Sequence, residues 1–158
     1  DDEEEAIQTE AMGVAKKLHK TFPIIYTEAP TEGVAVRFRQ QVAENAKMLS
    51  SHHVIPEMNH NELVGWKTKN EDLSVLLFRS KDEYYRNTAR IEKSKEVALQ
   101  CTSNVNEVFA KGEGRIQQAL YLIHLGDWIT YDLAKLKEID SVEVDVIEGL
   151  KEMLSGLA

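Results

Sequence analysis

Apolar residues recur every three or four positions over much of the chain, which is the spacing of helices with one buried face. The stripe within residues 31–50, for example, consists of Ala35, Phe38, Val42, Ala46 and Leu49. A Ser80-to-Glu83 spacing typical of a capping box marks the start of another helix. The predicted helices are residues 4–21, 31–50, a short one within 57–66, 81–95, one within 114–139, and 142–154.

Compact apolar runs predict three strands, at residues 23–26, 73–78 and 97–101. Residues 52–56 are predicted to be irregular, and residues 104–111 favour neither a helix nor a strand. Short strands that alternate with longer helices pair in parallel, so the pattern predicts a layered α/β fold. Ligands of such folds gather at the carboxyl ends of the strands, which makes loops 27–33 and 102–106 the expected binding loops.

Length, charge and cysteine content narrow the class of protein. A chain of 158 residues has the size of one domain, spanning 1–158. Its net charge of −8 disfavours a general nucleic-acid surface, and no apolar run is long enough to span a membrane. The single cysteine, Cys101, cannot form an internal disulfide, and the acidic start at Asp1 is unlike a basic targeting signal. These features predict a cytoplasmic protein.

The first candidate for chemistry is Glu44, on the predicted helix 31–50. It lies about 200° around that helix from Val42, so it faces away from the buried stripe. A carboxylate there is either a solvated surface group or a general base standing over a cleft. Partial burial would bring the pKa of such a base near the working pH, which a group that moves a proton between carbon atoms requires.

The second candidate is His60, within Pro56-Glu57-Met58-Asn59-His60-Asn61-Glu62. Histidine titrates near neutrality and suits acid–base work, while the two neighbouring asparagines can orient its ring or bind sugar hydroxyls. The alternative is an exposed histidine at an asparagine-capped helix start. His52, His53, Glu57, His60 and Glu62 lie close in sequence, but their spacing matches no zincin pattern, so no metal site is expected.

The third candidate lies on the predicted helix within 114–139. Thr130 and Lys137 are seven residues apart, so they share a face about 10.5 Å apart along the axis. A partly desolvated lysine there could hold its charge over a substrate oxygen; alternatively, it only complements the helix dipole. Gly126 costs up to about 1 kcal/mol in a helix, which indicates close approach by a neighbouring backbone or a ligand.

Taken together, these patches resemble the C-terminal half of the bifunctional phosphoglucose/phosphomannose isomerases of bacteria and archaea. The resemblance rests on Glu44-Asn45-Ala46-Lys47, on the Asn59-His60-Asn61-Glu62 patch with Gly65-Trp66, and on Leu125-Gly126-Asp127 through Thr130 and Lys137. It covers the chain from about Pro23 onward. It implies a three-layer sugar isomerase (SIS) domain, flavodoxin-like, with a mainly parallel sheet and long C-terminal helices.

The resemblance also implies a reaction without metal or other cofactor. Members of that family interconvert aldose and ketose 6-phosphates through a cis-enediol. By resemblance, Glu44 would carry the proton between C1 and C2, and Lys137 would lie near the ring and the developing oxyanion. Thr130 would permit the mannose as well as the glucose configuration. His60 would assist ring opening in the neighbouring subunit of a homodimer, so Glu44, Thr130 and Lys137 are expected to line one cleft of a single chain.

One part of the family pattern is missing from the sequence. In these enzymes a Ser/Thr-rich loop of a first SIS lobe holds the phosphate, and that lobe has no counterpart here; residues 1–21 resemble the connecting helix. The sequence therefore favours a C-terminal half that is nearly inactive alone. The alternative is a non-catalytic SIS module that binds sugar phosphates in a regulatory or dimerising role.

Overall fold

A four-stranded parallel sheet lies at the centre of the computed structural model, which describes residues 2–157. β1, β3 and β4 are each followed by a long helix that returns the chain to the other end of the sheet, whereas β2 is followed by a four-residue helix, a 3-10 turn and a loop that leads to β3. The strands are β1 (Phe22–Glu28), β2 (Ser51–Ile55), β3 (Leu73–Arg79) and β4 (Val105–Phe109). The helices are α1 (Asp2–Leu18), α2 (Glu32–Ala46), α3 (Met58–Asn61), α4 (Tyr85–Ala98), α5 (Arg115–Leu136) and α6 (Asp145–Ser155), with 3-10 turns at Ala29–Thr31 and Glu62–Gly65.

The strand order is β2-β1-β3-β4, so β2 and β4 are the edges of the sheet. In the register of β1 with β2, Ile24 pairs with Ser51 and Glu28 with Ile55. The carboxyl ends of the strands therefore meet at one end of the sheet, and their amino ends meet at the other. These two ends are called the carboxyl edge and the amino edge below.

Two separate hydrophobic cores cover the two faces of the sheet. Helices α1, α2 and α5 pack on the face that carries Ile25 and Leu76. The opposite face, which carries Tyr26 and Leu77, packs against Met58 of α3 and residues of α4 such as Ile91. Alternating side chains of each strand thus enter different cores, as expected for strands covered on both sides. The predicted three-layer α/β fold is confirmed.

Two sequence-based strand assignments are wrong. Residues 52–56, predicted to be irregular, belong mostly to β2, whose polar Ser-His-His segment is half exposed because it forms an edge of the sheet. Residues 97–101, predicted to be a strand, form the end of α4 and the turn after it. The residues buried here recur at helical spacing: Ile91, Ser94, Ala98 and Cys101. The apolar run at residues 97–101 is therefore the buried end of a helix and its turn. The third strand along the chain is β3 and the fourth, β4, begins at Val105.

Several helix boundaries also differ from the sequence prediction, and the end of α2 and the start of α4 are the two with a clear local cause. Helix α2 ends at Ala46, because Lys47 adopts a left-handed conformation with φ 50°. Helix α4 begins at Tyr85 rather than Lys81. The predicted capping contact does form, since the Ser80 N–H donates to Glu83 at 3.0 Å, but Glu83 also binds Arg79 and the segment remains a turn.

Gly126 lets α5 approach α2 closely, and the group it accommodates is the ring of Phe38. A Cβ at Gly126 would lie 3.0 Å from Cδ2 of Phe38. That ring is buried and packs edge-on against Phe78, with 5.4 Å between the ring centroids, so it has little room to move. The close approach indicated by a mid-helix glycine is confirmed, but the neighbour is a side chain rather than the expected backbone or ligand.

Replacing Gly126 with alanine is expected to lower the free energy of unfolding by about 1 kcal/mol. The strain of an overpacked core, about 1–3 kcal/mol, exceeds the gain in helix propensity of about 1 kcal/mol. Urea denaturation of the chain measures this change. Gly13→Ala in α1 is the matched control, because nothing lies within 4 Å of its Cβ, and it should stabilise the protein. Stabilisation of similar size by both variants would contradict the packing role of Gly126.

Candidate functional site

Thr130 lies in the interface between α2 and α5 and has no exposed surface. Its hydroxyl accepts a hydrogen bond from Nδ2 of Asn45 at 2.9 Å and donates one to the carbonyl of Asp127 at 3.0 Å. Nδ2 of Asn45 also donates to Oε1 of Gln41 at 3.0 Å. The Thr130 hydroxyl is thus fully engaged within the chain, and Asn45 lies between it and solvent.

A second polar contact bridges the same two helices closer to the carboxyl edge. Nη2 of Arg37 on α2 lies 2.8 and 3.0 Å from the two carboxylate oxygens of Asp127 on α5. Both side chains are 43% exposed, so this ion pair is screened by water and contributes at most about 1 kcal/mol. The ion pair lies at the outer end of a row of polar side chains between the two helices. We call this row the polar seam; it consists of Arg37, Gln41, Asn45, Asp127, Thr130 and Lys137.

Lys137 follows the last residue of α5 and reaches over the C-terminal end of α2. Its ammonium donates to the carbonyls of Ala46 at 2.7 Å and Lys47 at 2.9 Å, and thereby satisfies acceptors that a helix end leaves free. Partial desolvation, reinforced by the positive charge of Lys47, holds the pKa of Lys137 below its usual value. An ammonium has three donors, so one proton remains for another oxygen.

Glu44 projects from the solvent side of α2 and is exposed. Around the helix it lies closer to Arg37 and Gln41 than to the core residue Val42, which puts it beside the polar seam. No hydrogen bond joins its carboxylate to another side chain within residues 2–157. The structure therefore brings Glu44, Thr130 and Lys137 to the same end of the α2–α5 interface, with Thr130 underneath and Glu44 outside.

His60 lies at the opposite edge of the sheet from these three residues. It is exposed on α3, directly after β2 and therefore at the carboxyl edge, whereas α2 ends at the amino edge. The whole of β2, about 13 Å of strand, separates the two edges. Within one copy of the chain His60 cannot meet Glu44.

A partly buried hydrogen-bond network fixes the segment that carries His60 to the sheet. The hydroxyl of Tyr26 donates to Glu62 and accepts from Nε1 of Trp66 at 3.0 Å, and Nε2 of His53 lies 3.0 Å from the Glu62 carboxylate. Burial and then the Glu62 carboxylate raise the pKa of Tyr26 well above its usual range. The network connects β1, β2 and the 3-10 turn, so the short helix that carries His60 is held in place on both sides.

The two loops expected to bind ligands lie at opposite edges of the sheet. Loop 27–33 follows β1 at the carboxyl edge, where the buried carboxylate of Glu28 accepts from Nδ2 of Asn87 at 2.7 Å. Loop 102–106 was misplaced because the third strand was misassigned: it precedes β4 at the amino edge. There the N–H of Ser103 donates to Glu71 at 3.0 Å, which lowers the pKa of that carboxyl. Both loops are thus occupied by acidic side chains of the chain itself.

Two further features concern metals and membranes. Across residues 2–157, no three His, Cys, Asp or Glu side chains converge closely enough to hold a metal ion. Over the same stretch, no helix combines the length and the apolar character that crossing a bilayer requires.

Sequence reasoning missed the polar seam, although its signal is present. Arg37, Gln41 and Asn45 are spaced four apart on α2, on one flank of the buried stripe. Asp127 and Thr130 are three apart on α5. Two helices on the same face of a sheet, each with polar residues at helical spacing beside its core stripe, are candidates for such a seam.

Comparison with known families and structures gives a consistent result. Residues 7–154 match the family described as bacterial phospho-glucose isomerase C-terminal SIS domain. A bifunctional phosphoglucose/phosphomannose isomerase of Aquifex aeolicus is 32% identical over 155 residues, which cover 95% of this chain and 48% of the relative. One from Thermoplasma acidophilum is 34% identical over 139 residues, covering 86% and 43%. The chain therefore spans about half the length of these relatives.

The fold comparison agrees with the sequence comparison. A glucose-6-phosphate isomerase-like protein of Thermus thermophilus superposes with a TM-score of 0.71 at 25% identity, covering 90% of this chain and 46% of that one. A phosphosugar isomerase-type structure from Clostridium difficile has a TM-score of 0.71 at 13% identity, covering 87% and 41%, and at that identity it supports the fold alone.

Proposed function

Because this chain belongs to the bacterial phospho-glucose isomerase C-terminal SIS domain family, we propose that it is the C-terminal half of an aldose–ketose isomerase. The enzyme would interconvert glucose 6-phosphate or mannose 6-phosphate with fructose 6-phosphate. The observation that carries the proposal is the match of residues 7–154 together with the location of Glu44, Thr130 and Lys137 at one end of a helix pair.

In the proposed reaction, Glu44 is the base. Its carboxylate removes the proton from C2 of the open-chain aldose while O1 takes up a proton, which leaves a cis-enediol. It then returns its proton to C1 while the hydroxyl at O2 loses one, which gives the ketose; the net change moves one proton from C2 to C1 and one from O2 to O1. Glucose and mannose 6-phosphates differ only at C2, and both lose that difference in the enediol. Glu44 is not tied to any partner side chain within residues 2–157, so it is available to accept the proton.

Lys137 and His60 supply the remaining groups of the proposal. The third proton of the Lys137 ammonium stabilises the negative charge that develops on the substrate oxygen, while the other two hold the lysine on α2. His60 assists ring opening. Since the sheet separates it from Glu44 within one copy, the proposal requires His60 of a second copy, in a homodimer.

The isolated chain is expected to have less than about one thousandth of the activity of the full-length isomerase. The proposed phosphate site lies outside this chain, and binding of the non-reacting phosphate supplies much of the orientation energy for catalysis. A coupled assay that measures fructose 6-phosphate formation compares the two proteins. Full-length turnover from the chain alone would contradict the proposed division of the site, and a full-length protein inactive on both aldose phosphates would contradict the proposed reaction.

A non-catalytic SIS module is the alternative. It is favoured by the fact that Thr130 and Lys137 already make hydrogen bonds inside the chain, which gives each a structural role. Replacement of Glu44 distinguishes the two functions, because only an isomerase needs that carboxylate.

A further inference from the structure

His60 is carried by a helix that is too short to hold its own position. Helix α3 consists of Met58–Asn61, about one turn, and an isolated helix of this length is unstable in water. Met58 is 1% exposed and anchors the turn in the core, whereas His60, about 200° around the turn from it, is exposed. The position of His60 therefore depends on the contacts that its neighbours make.

The residues on both sides of His60 are held by side chains of other elements. Before it, Nδ2 of Asn59 donates to Oγ of Ser94 on α4 at 2.9 Å. After it, the carboxylate of Glu62 accepts from the hydroxyl of Tyr26 on β1. The imidazole of His60 makes no hydrogen bond or ion pair among residues 2–157, so it is presented to the outside on a fixed support.

Tyr26 is the most deeply buried part of this support. Its side chain is 1% exposed and packs in the same core as Met58. Because burial and then the Glu62 carboxylate raise the pKa of Tyr26 well above its usual range, the hydroxyl keeps its proton and remains a donor to Glu62. Nε1 of Trp66 donates to the same hydroxyl at 3.0 Å, so it accepts on one side and donates on the other. Tyr26 cannot touch a substrate, and any effect it has on catalysis must be transmitted.

We propose that Tyr26 and Glu62 are positioning residues, which hold His60 for the active site of the neighbouring copy in the homodimer. This inference rests on the proposed function, which requires His60 from a second copy. The hydrogen bond from Tyr26 to Glu62 lies within one chain, whereas the sugar that His60 serves is bound beside Glu44 of the other. A change in the core of one copy should therefore slow the reaction in its partner.

The first test is a double-mutant cycle in the full-length isomerase. Tyr26→Phe, which removes only the hydroxyl, should lower kcat about tenfold with KM unchanged, because a displaced imidazole loses part of the roughly 10²–10⁴-fold that an acid–base group contributes. In a His60→Ala background, Tyr26→Phe should leave the residual kcat unchanged. Tyr121→Phe is the matched control: it removes another tyrosine hydroxyl that donates to a carboxylate, that of Glu10 at 2.8 Å, and it should leave kcat unchanged.

Mixed dimers test whether the effect crosses to the partner. Co-expression of two chains with different affinity tags yields a dimer with Glu44→Gln in one copy and Tyr26→Phe in the other. Its one site with an intact Glu44 receives His60 from the copy that retains Tyr26, so its activity should be about half that of the parent dimer. With both substitutions in one copy and a parent chain as the other, the intact Glu44 receives the displaced His60, and the activity should fall to about one twentieth.

Three results would overturn the inference. The first is a parent-level kcat in folded Tyr26→Phe. The second is a loss of equal size in the His60→Ala background, which would mean that Tyr26 does not act through His60. The third is equal activity of the two mixed dimers, which would mean that the effect does not pass to the neighbouring copy.

The same measurements separate this inference from the proposed function. If His60→Ala retains full activity, or if the full-length protein is a monomer, the proposed function fails and this inference fails with it. If His60→Ala is impaired while Tyr26→Phe is not, only the inference fails. Circular dichroism reports whether each variant folds. If Tyr26→Phe does not fold, Glu62→Ala, at a partly exposed position, replaces it in both tests with the same expected results.

Discussion

Replacing Glu44 with glutamine is expected to lower the kcat of the full-length isomerase about a thousandfold on both aldose phosphates, within the range of 10²–10⁴ that general bases contribute. Glutamine has the shape of glutamate, but its amide cannot accept the proton from C2. Because the Glu44 carboxylate is exposed and makes no side-chain hydrogen bond within residues 2–157, the free energy of unfolding should stay within about 0.5 kcal/mol of the parent value.

A coupled assay gives kcat, and binding of fructose 6-phosphate by calorimetry shows whether the site still takes its ligand. Glu96→Gln is the matched control, since it removes an exposed carboxylate from α4 on the other face of the sheet. Turnover by Glu44→Gln at the parent rate would reject Glu44 as the base and favour the non-catalytic module.

The second large effect concerns stability. Arg79→Met is expected to lower the free energy of unfolding by about 3–5 kcal/mol, the cost of removing one partner from a buried ion pair. The Arg79 side chain is 5% exposed, and its guanidinium binds both carboxylate oxygens of Glu83, at 2.7 and 2.8 Å. It also contacts Glu92 at 3.0 Å, and it contacts Glu107. Methionine would leave Glu92 and Glu107 with Lys95 as their remaining cation, and it would leave Glu83 without an ion-pair partner among residues 2–157.

The pH dependence of that loss has a definite sign. In the parent protein, Lys95 and then Arg79 hold the pKa of Glu92 below its usual value, so this pairing stabilises the fold above the pKa of the unfolded chain and is lost as the pH falls. Without Arg79, the pKa of Glu92 loses one of the two cations that lower it, so the stabilisation that Arg79 provides through Glu92 disappears as this carboxyl takes up its proton. The difference between parent and variant should therefore shrink from about pH 7 to about pH 4.

Urea denaturation at several pH values measures both proteins. Arg86→Met, at an exposed position of α4, is the control and should change the free energy of unfolding by less than about 0.5 kcal/mol. A loss below about 1 kcal/mol in Arg79→Met at neutral pH, or a difference that widens as the pH falls, would show that the cluster does not stabilise the protein in this way.

The sequence predicts the fold class because most elements have a strong periodic signal. The stripe on α2 and the apolar run of β3 each have one interpretation, and the structure confirms both except at Leu49, which lies beyond the end of α2 and is exposed. β2 was missed because it is an edge strand and most of its side chains are at least partly exposed. Its Ser-His-His start is therefore polar and resembles a loop. The assignment of a strand at 97–101 failed for the opposite reason, since an apolar helix end cannot be told from a short buried strand by hydrophobicity alone.

For the candidate site, sequence spacing predicted which residues share a helix but not what they contact. The seven-residue separation predicted that Thr130 and Lys137 share a face, and in the structure both side chains contact α2 or its C-terminal end, which the spacing alone did not predict. Burial of the Thr130 hydroxyl depends on how closely two helices pack, and that distance is set by Gly126 against Phe38. Asn45 and Arg37 were missed because their importance comes from partners that lie about 85–90 residues away in sequence.

The edge position of β2 also has a consequence for how the isolated chain behaves in solution. No strand pairs with the outer side of Ser51–Ile55 within residues 2–157, so a row of backbone donors and acceptors faces outward there. Such a row can template an extended segment of another molecule. The short length of β2 and its two histidines make it a poor template. Even so, at high protein concentration an intermolecular sheet would begin at an edge strand, either β2 or β4.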